Sequence, residues 1–147
     1  MTQFRGKFIN GLDKKGRCSV PASFRARLAG EALVLRRSIR HPCIEAWPAS
    51  AFDAAISATT PLDEPSGDED DKAYALYAGT MDATPDPDGR IILPADLAQF
   101  AGLTDSVAFL GRIERFELWE PAAAEAQIER ARQAIAEKAR LRAAGAA

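Results

Sequence analysis

The chain carries one ten-residue pattern twice. Residues 13–22 read DKKGRCSVPA and residues 86–95 read DPDGRIILPA, so each copy is Asp-x-x-Gly-Arg, three strand-forming residues and Pro-Ala. The agreement extends outward, because residues 44–47 (IEAW) match residues 116–119 (FELW). An internal repeat marks a duplicated structural unit, and two copies are too few for an open solenoid. We therefore expect two half-domains that close on each other about a pseudo-two-fold axis.

The length of the chain limits how independent the two halves can be. Its 147 residues leave about 50 for each repeat. A unit of about 50 residues buries too little surface to be comfortably stable alone. We therefore predict an α+β fold in which both halves share one core. The predicted parts are repeat 1 at residues 7–54, an acidic linker at 59–71, repeat 2 at 80–123 and a C-terminal helix at 124–147.

Turn and helix signals follow the same order in both halves. A strand leads into the Asp-x-x-Gly turn, where Asp bonds the backbone ahead of it and Gly supplies a positive φ. A second strand follows, and Pro then begins a helix that ends at Gly. The first strand of the second half is predicted less strongly than its counterpart in the first half, because Pro85 has no N–H to donate to a neighbouring strand. The predicted strands are 4–12, 17–20, 32–36, 43–47, 79–85, 90–93, 106–111 and 115–119, and the predicted helices are 21–28, 48–58, 68–78, 94–101 and 121–143.

Charge is distributed unevenly, although the net charge is only −2. Residues 1–43 have a net charge of +8, residues 44–99 one of −10, and residues 100–147 are balanced. A basic segment within an acidic chain can form a local positive surface for a polyanion. The alternative is that folding mixes the signs and leaves no patch. The residues that we expect to contact DNA are Arg5, Lys7, Lys14, Lys15 and Arg17.

The Asp-x-x-Gly-Arg turn is suited to hold a guanidinium in a fixed direction. Asp13 can accept bonds from the turn backbone and orient Arg17, while Gly16 closes the reversal. An oriented guanidinium makes bidentate bonds to phosphate, or to the O6 and N7 edge of guanine. Lys14 and Lys15 add charges that release counterions when DNA binds. The first turn therefore has the residues to bind nucleic acid.

The second turn carries Pro87 and Asp88 where the first carries two lysines. An acid beside a phosphate is repulsive, so we predict that DNA contact lies mostly on the first half. Asp86, Gly89 and Arg90 then serve the structure of their own turn. The alternative for both copies is that the arginine merely pairs with its own aspartate and fixes the turn.

We find no other constellation in the sequence that indicates catalysis, a metal or a cofactor. His41 and Cys43 flank a proline, but without a further Cys or His nearby they cannot complete a tetrahedral zinc shell. The run Asp86-x-Asp88-Gly89 resembles a calcium loop but lacks the Asp at its first position and the Glu at its twelfth. The sequence has no phosphate-binding glycine loop. We therefore expect no enzyme activity, metal, cofactor or small-molecule substrate.

Cysteine content and hydropathy indicate the cellular compartment of the protein. Cys18 and Cys43 are too few for a disulfide framework and are typical of reduced thiols. The sequence has no run of about 20 apolar residues that would cross a membrane. Its first six residues lack an apolar signal region. These features predict a cytoplasmic protein without a membrane partner.

Together the motifs closely resemble the MraZ family, bacterial transcription regulators with two fused halves of the SpoVT/AbrB type. Two turns in register, each with its Pro-Ala continuation, make the match specific over roughly residues 4–120. The resemblance implies a swapped-hairpin, double-ψ β-barrel core with flanking helices and assembly into ring-shaped homo-oligomers. It rests on Phe4-Arg5-Gly6, Leu12-Asp13-Lys14-Lys15-Gly16-Arg17, Val20-Pro21-Ala22, His41-Pro42-Cys43, Asp86-x-x-Gly89-Arg90 and Phe116-Glu117-Leu118-Trp119.

The resemblance also implies a function. Members of the family bind short repeated, G-rich sites near the promoter of the division and cell-wall gene cluster, usually as repressors of their own operon. We accordingly expect double-stranded promoter DNA as the partner, and association with the nucleoid. Several weakly binding subunits on one ring would gain affinity by effective concentration. Two alternatives stay open: a protein-interaction scaffold that touches DNA only incidentally, and a small antitoxin-type dimer that binds DNA.

Overall fold

The computed structural model describes residues 3–59 and 67–146, so residues 60–66 of the predicted linker lie outside the described residues. Within these ranges each half contains two strands, a short helix and two further strands, in the same order. The strands are β1 Lys7–Gly11, β2 Arg17–Ser19, β3 Leu33–Arg37, β4 Ile44–Pro48, β5 Met81–Ala83, β6 Arg90–Ile92, β7 Ser106–Gly111 and β8 Phe116–Trp119. The helices are α1 Ala22–Leu28, α2 Ala49–Thr59, α3 Gly67–Lys72 with a π-helical segment Ala73–Ala78 directly after it, α4 Ala95–Phe100 and α5 Pro121–Ala146.

All the predicted strands and helices are present, and their ends differ from the predicted bounds by at most three residues. β5 covers only Met81–Ala83 of the predicted 79–85, because the ladder cannot continue through Pro85. The helix predicted over 68–78 changes from α-helical to π-helical hydrogen bonding at Ala73. Helix α5 begins at Pro121, as predicted, and extends to Ala146, three residues beyond the predicted end at 143. The carboxylate of Glu120 accepts bonds from the backbone amides of the first turn at 3.0 and 2.9 Å and caps the helix there.

The two halves exchange strands instead of forming separate sheets. The larger sheet is antiparallel with the order β1-β7-β8-β4-β3-β5, and β2 and β6 form a separate two-stranded ribbon. Strand β1 of the first half pairs with β7 of the second, and β5 of the second pairs with β3 of the first. The halves therefore cannot separate without breaking hydrogen-bonded ladders.

The register of the shared strands has the symmetry expected of two half-domains. At the centre of the large sheet β4 pairs with β8, and Glu45 lies opposite Glu117, its counterpart in the repeat. In the ribbon, Cys18 lies opposite its counterpart Ile91. An antiparallel pair in which a residue faces its own equivalent has a local two-fold axis through that pair. The sequence repeat is thus built into the strand pairing.

The main core lies between one face of the large sheet, the ribbon and helices α1 and α4. Its centre contains the fully buried rings of Phe4, Phe24 and Phe116, with centroids 5.5, 5.2 and 4.9 Å apart. Leu28 of α1 and Leu97 of α4 pack into the same cluster. Because both halves supply its side chains, the prediction of one shared core is confirmed.

The opposite face of the large sheet carries two smaller clusters, one for each half. Trp47 packs there with α2, and Trp119 packs there with α5. The repeat predicts that both tryptophans pack the core at symmetric positions; the structure buries them symmetrically, but beneath these flanking helices and outside the main core. Each indole N–H donates to the glutamate two residues earlier, Trp47 to Glu45 at 2.9 Å and Trp119 to Glu117 at 3.0 Å. Residues i and i+2 of a strand share a face, which brings each pair together.

Candidate nucleic-acid interface

In the first turn, one carboxylate holds the arginine that follows. One oxygen of Asp13 accepts from the backbone N–H groups of Lys15 (2.9 Å) and Arg17 (2.8 Å), and the other accepts from Nε of Arg17 at 2.7 Å. The amide of Gly16 donates to the carbonyl of Asp13 at 3.0 Å and closes the turn. Hydrogen bonds from the backbone and then the side chain of Arg17 hold the pKa of Asp13 below its ordinary value. The carboxylate therefore stays ionised while it orients the guanidinium.

Position 16 requires glycine for two separate reasons. The φ angle of Gly16 is +83°, in the left-handed region that L side chains rarely adopt. A Cβ atom there would also lie 2.6 Å from the carbonyl oxygen of Leu93, which belongs to the other half. The amide of Leu93 donates to the carbonyl of Gly16 at 2.7 Å. The first turn therefore packs against Leu93, the residue that follows β6 of the second half.

The second turn repeats this geometry with more acid around the arginine. Asp86 accepts from the N–H groups of Asp88 and Arg90, both at 2.9 Å, and from Nε of Arg90 at 3.3 Å. Arg90 also donates from Nη2 to the carboxylate of Asp88 at 3.3 Å. The backbone hydrogen bond from Arg90 is the main cause that holds the pKa of Asp86 below its ordinary value. Arg90 is therefore shared between two carboxylates, while Arg17 pairs with one at a shorter distance.

Both arginines lie on the outward face of the β2–β6 ribbon. Side chains alternate along a strand, and Cys18 and Ile91 are buried on the inward face. Arg17 and Arg90 therefore point the other way, and 41% and 42% of their side-chain surfaces are exposed. The antiparallel register places them at opposite ends of this short ribbon. Arg17 pairs with aspartate through Nε alone, which leaves the end of its guanidinium available to a ligand, whereas Nη2 of Arg90 already bonds Asp88.

The structure separates the five predicted DNA-binding residues into two groups. Lys14 and Lys15 are exposed in the first turn, beside Arg17. Arg5 precedes β1 and Lys7 begins it, so Lys7 lies about 13 Å from the far end of that strand. Lys7 also forms an ion pair with a glutamate of α5. The turn therefore carries three of the five positive charges, and the other two lie toward the opposite end of β1.

One basic residue near the second turn was not predicted from the sequence. Arg25 of α1 donates from Nε to the carbonyl of Val20 at 3.1 Å. Its side chain then lies over Gly89, where an added Cβ would come within 2.3 Å of Nη1. The acidic second turn thus receives a positive charge from the first half. The second repeat has Ala98 at the position equivalent to Arg25. This departure from the repeat is the feature of the sequence that marks Arg25.

The thiols and the histidine have structural roles. Burial raises the pKa of Cys18 to about 12 and also raises the pKa of Cys43, so both thiols stay protonated near neutral pH. His41 packs against Trp119, with ring centroids 5.6 Å apart. Among residues 3–59 and 67–146, no three metal-ligating side chains are placed to hold an ion together. In the same ranges, no helix combines the length and the hydropathy that crossing a membrane requires.

The fold and its turns define a class of tandem-repeat protein. Two β-β-α-β-β halves exchange strands and present a pair of aspartate-anchored arginines on one ribbon. The family model described as "MraZ protein, putative antitoxin-like" matches residues 4–72 and 76–144, which is most of the chain. The chain belongs to the MraZ family, as its motifs predict.

Relatives in several bacteria have the same family name. "Transcriptional regulator MraZ" of Gluconacetobacter diazotrophicus is 51% identical over 138 residues, which cover 90% of this chain and 87% of the relative. The protein of that name in Gluconobacter oxydans is 46% identical over 149 residues, which cover 95% of this chain and 87% of the relative. The one in Rickettsia bellii is 41% identical, with coverage of 82% and 83%. The similarity therefore extends over nearly the whole of each protein.

Proposed function

We propose that this chain is a sequence-specific, DNA-binding transcriptional regulator whose first turn is its main contact with DNA. The observation that carries the proposal is the fixed position of Arg17, held by Asp13 with the end of its guanidinium accessible. Residues 13–17 have a net charge of +2, whereas residues 86–90 have one of −1. Phosphate and guanine edges both accept bidentate bonds from such a guanidinium. The printed names of the relatives support the same role.

The resemblance supplies the finer parts of this proposal. The protein acts as a repressor of the division and cell-wall gene cluster, in the cytoplasm at the nucleoid, and binds repeated G-rich promoter sites as a ring of subunits. Its two sheets close into a swapped-hairpin double-ψ barrel, which the exchange of β1 and β5 between halves supports. The protein has no enzyme activity in this proposal, and burial keeps the thiols of Cys18 and Cys43 protonated, so neither is suited to act as a nucleophile.

Binding of the full-length protein to a duplex from its own upstream region tests the interface. By fluorescence anisotropy, Arg17→Ala should weaken binding about tenfold or more, because one bidentate contact contributes about 1–3 kcal/mol. Arg90→Ala should cost much less, and Arg142→Ala, an exposed arginine near the end of α5, serves as the matched control. Equal losses for Arg17→Ala and Arg90→Ala would contradict the assignment to the first turn. An unchanged affinity for Arg17→Ala would contradict the interface itself.

The salt dependence of binding separates this function from that of a protein scaffold. Contact through Lys14, Lys15 and Arg17 requires affinity to fall steeply with salt, and Lys14→Ala should reduce the logarithmic slope by about one. An affinity independent of salt would favour the scaffold. The family description "antitoxin-like" keeps the dimer as the second candidate. A native mass measurement distinguishes a dimer from a ring.

A further inference from the structure

A pocket of about 490 Å³ lies on the face of the large sheet opposite the main core. Helix α2 covers one side of this face and α5 covers the other. The floor of the pocket is the place where β4 meets β8, and its walls are the β3–β4 and β7–β8 loops and the π-helical segment. Small-molecule sites have volumes of about 300–1,000 Å³. The pocket is therefore large enough for a small organic molecule.

The two carboxylates of the floor are already paired. Glu45 accepts from Nε of Arg36 at 2.9 Å, and Glu117 accepts from Nη1 of Arg112 at 2.8 Å. Burial opposes the ionisation of Glu45, but the hydrogen bonds from Trp47 and Arg36 outweigh it and hold its pKa below the ordinary value. Both carboxylates also receive an indole N–H. They are therefore engaged by groups of the protein and do not call for a cation.

Arg115 lies between these two glutamates without a hydrogen bond to either. Its Nε is 3.9 Å from Glu45 and its Nη2 is 4.0 Å from Glu117, which is too far for a hydrogen bond. Nη1 donates to Glu114 at 2.8 Å, and the guanidinium stacks on Trp47 at 5.0 Å. Its Nε is buried without a hydrogen-bond partner among the described residues. Nε is therefore closed to a ligand, and Nη2, which makes no hydrogen bond among the described residues, is the donor that a ligand can reach.

The lining of the pocket has an excess of positive charge. Five lysine or arginine side chains face three carboxylates, and Arg40 stands exposed at the rim. This excess does not follow from the repeat. Arg36 pairs with Glu45, but the residue in the same register with Glu117 is Leu110. The second repeat therefore has no arginine equivalent to Arg36 in the strand register, and the positive charge of the pocket is not a product of the repeat.

We propose that this pocket binds a small organic anion. A phosphate or carboxylate group of the ligand accepts from Nη2 of Arg115 and pairs with Arg40 at the rim. The apolar part of the ligand lies against Ile39 and Leu76, which also line the pocket. Both halves of the chain supply the floor, so the bound molecule contacts both and stabilises the folded protein.

Thermal unfolding of the full-length protein with three aromatic probes tests the proposal. Phenyl phosphate and benzoate should each raise Tm in a saturable way, and the more effective of the two identifies the preferred acidic group. Phenol, which has the same ring without the charge, should give no saturable shift. Absence of a saturable shift with both anions would overturn the proposal, and so would an equal shift with phenol.

Two variants locate the binding. Arg115→Lys keeps the charge but removes the planar donors, and should weaken binding of the better anion about tenfold. Arg40→Ala changes only an exposed rim residue and should weaken it about threefold, so it keeps the test valid if Arg115→Lys lowers stability. Arg142→Ala on α5 should leave the affinity unchanged. Equal affinities for all three variants would place any binding elsewhere and overturn the proposal, while the DNA contact proposed for the first turn would be unaffected.

Discussion

Gly16 shows how a single residue joins the two halves. Its positive φ shapes the first turn, and the missing side chain lets the carbonyl of Leu93 approach. Gly30 has the same φ of +83°, but an added Cβ would meet no atom within 4 Å. The two glycines therefore separate the effect of backbone strain from the effect of a close approach.

We predict that Gly16→Ala lowers the free energy of unfolding more than Gly30→Ala does. At Gly30 the cost is left-handed strain alone, about 1–2 kcal/mol. At Gly16 the added methyl group also meets a backbone oxygen, which cannot turn away as the end of a side chain can, and we expect about 1 kcal/mol more. Urea unfolding of both variants measures the difference. Equal losses would mean that the end of the strand at Leu93 moves aside freely.

Asp13 and Asp86 make the turns sensitive to acid. Both have a pKa below the ordinary value of 3.8 in the folded protein, through backbone hydrogen bonds first. A carboxyl group whose pKa is lower in the folded protein than in the unfolded chain stabilises the fold at any pH above its unfolded pKa. This stabilisation is lost as the pH falls through its folded pKa.

We therefore predict that the free energy of unfolding decreases as the pH is lowered below about 5, and that Asp13→Asn reduces this decrease. Denaturant unfolding at a series of pH values measures the slope. Asp53→Asn, on the exposed face of α2, is the control. A slope that Asp13→Asn and Asp53→Asn change equally would contradict a specific role of the turn.

The roles of the residues within each turn could be predicted from the sequence because their interactions are local. Asp13 acts on the backbone two and four residues ahead, and such bonds follow from residue type and spacing. The contact of Arg25 with the other half depends on how α1 packs, so the difference between Arg25 and Ala98 marks the residue but does not predict its partner. The setting of Arg115 likewise needs the pairing of β4 with β8 to be known.

At the scale of elements, the order of strands and helices was predictable and their partners were not. Pro21 and Pro94 predict helix starts, and the structure places each proline at the N-cap of a helix that begins one residue later. Strand exchange joins residues far apart in the chain, and period and propensity carry no information on such pairing. Only the family resemblance implied it.

Helix α5 is attached to the body by its first two turns. Ala124 is buried and Ile128 packs beside it, whereas the side chains of residues 132–145 are exposed. We predict that ending the chain after Arg132 changes the free energy of unfolding by less than about 0.5 kcal/mol, and that Ile128→Ala costs about 1–2 kcal/mol. Chemical unfolding measures both. A large loss on truncation would show that the distal helix packs against another subunit, and a native mass measurement would then reveal a smaller assembly.

At the scale of the whole molecule, strand exchange predicts one unfolding transition. Trp119→Phe leaves Trp47 as the probe of the first half, and Trp47→Phe leaves Trp119 as the probe of the second. Within each variant, tryptophan fluorescence and far-ultraviolet circular dichroism should give the same midpoint in urea, because neither half retains its sheet without the other. Separate midpoints would contradict the shared core.

Folding also redistributes the basic segment of residues 1–43. Lys14, Lys15 and Arg17 stay together at the first turn, but Arg36 lines the pocket over β4 and β8, where it pairs with Glu45, and Arg37 pairs with Asp96 at 3.6 Å. The charge count of the sequence therefore overstates the positive surface at the turn. Of the ten lysines and arginines in residues 1–43, the first turn keeps a group of three.

The register that sets Glu45 against Glu117 has a consequence for how such a protein can change. In a dimer of identical single repeats, every substitution arises on both sides of the axis at once. Here the two sides are one polypeptide, so a lysine can be gained in one loop while an aspartate is kept in the other. Covalent fusion thus allows one copy to specialise in a ligand while its twin preserves the scaffold.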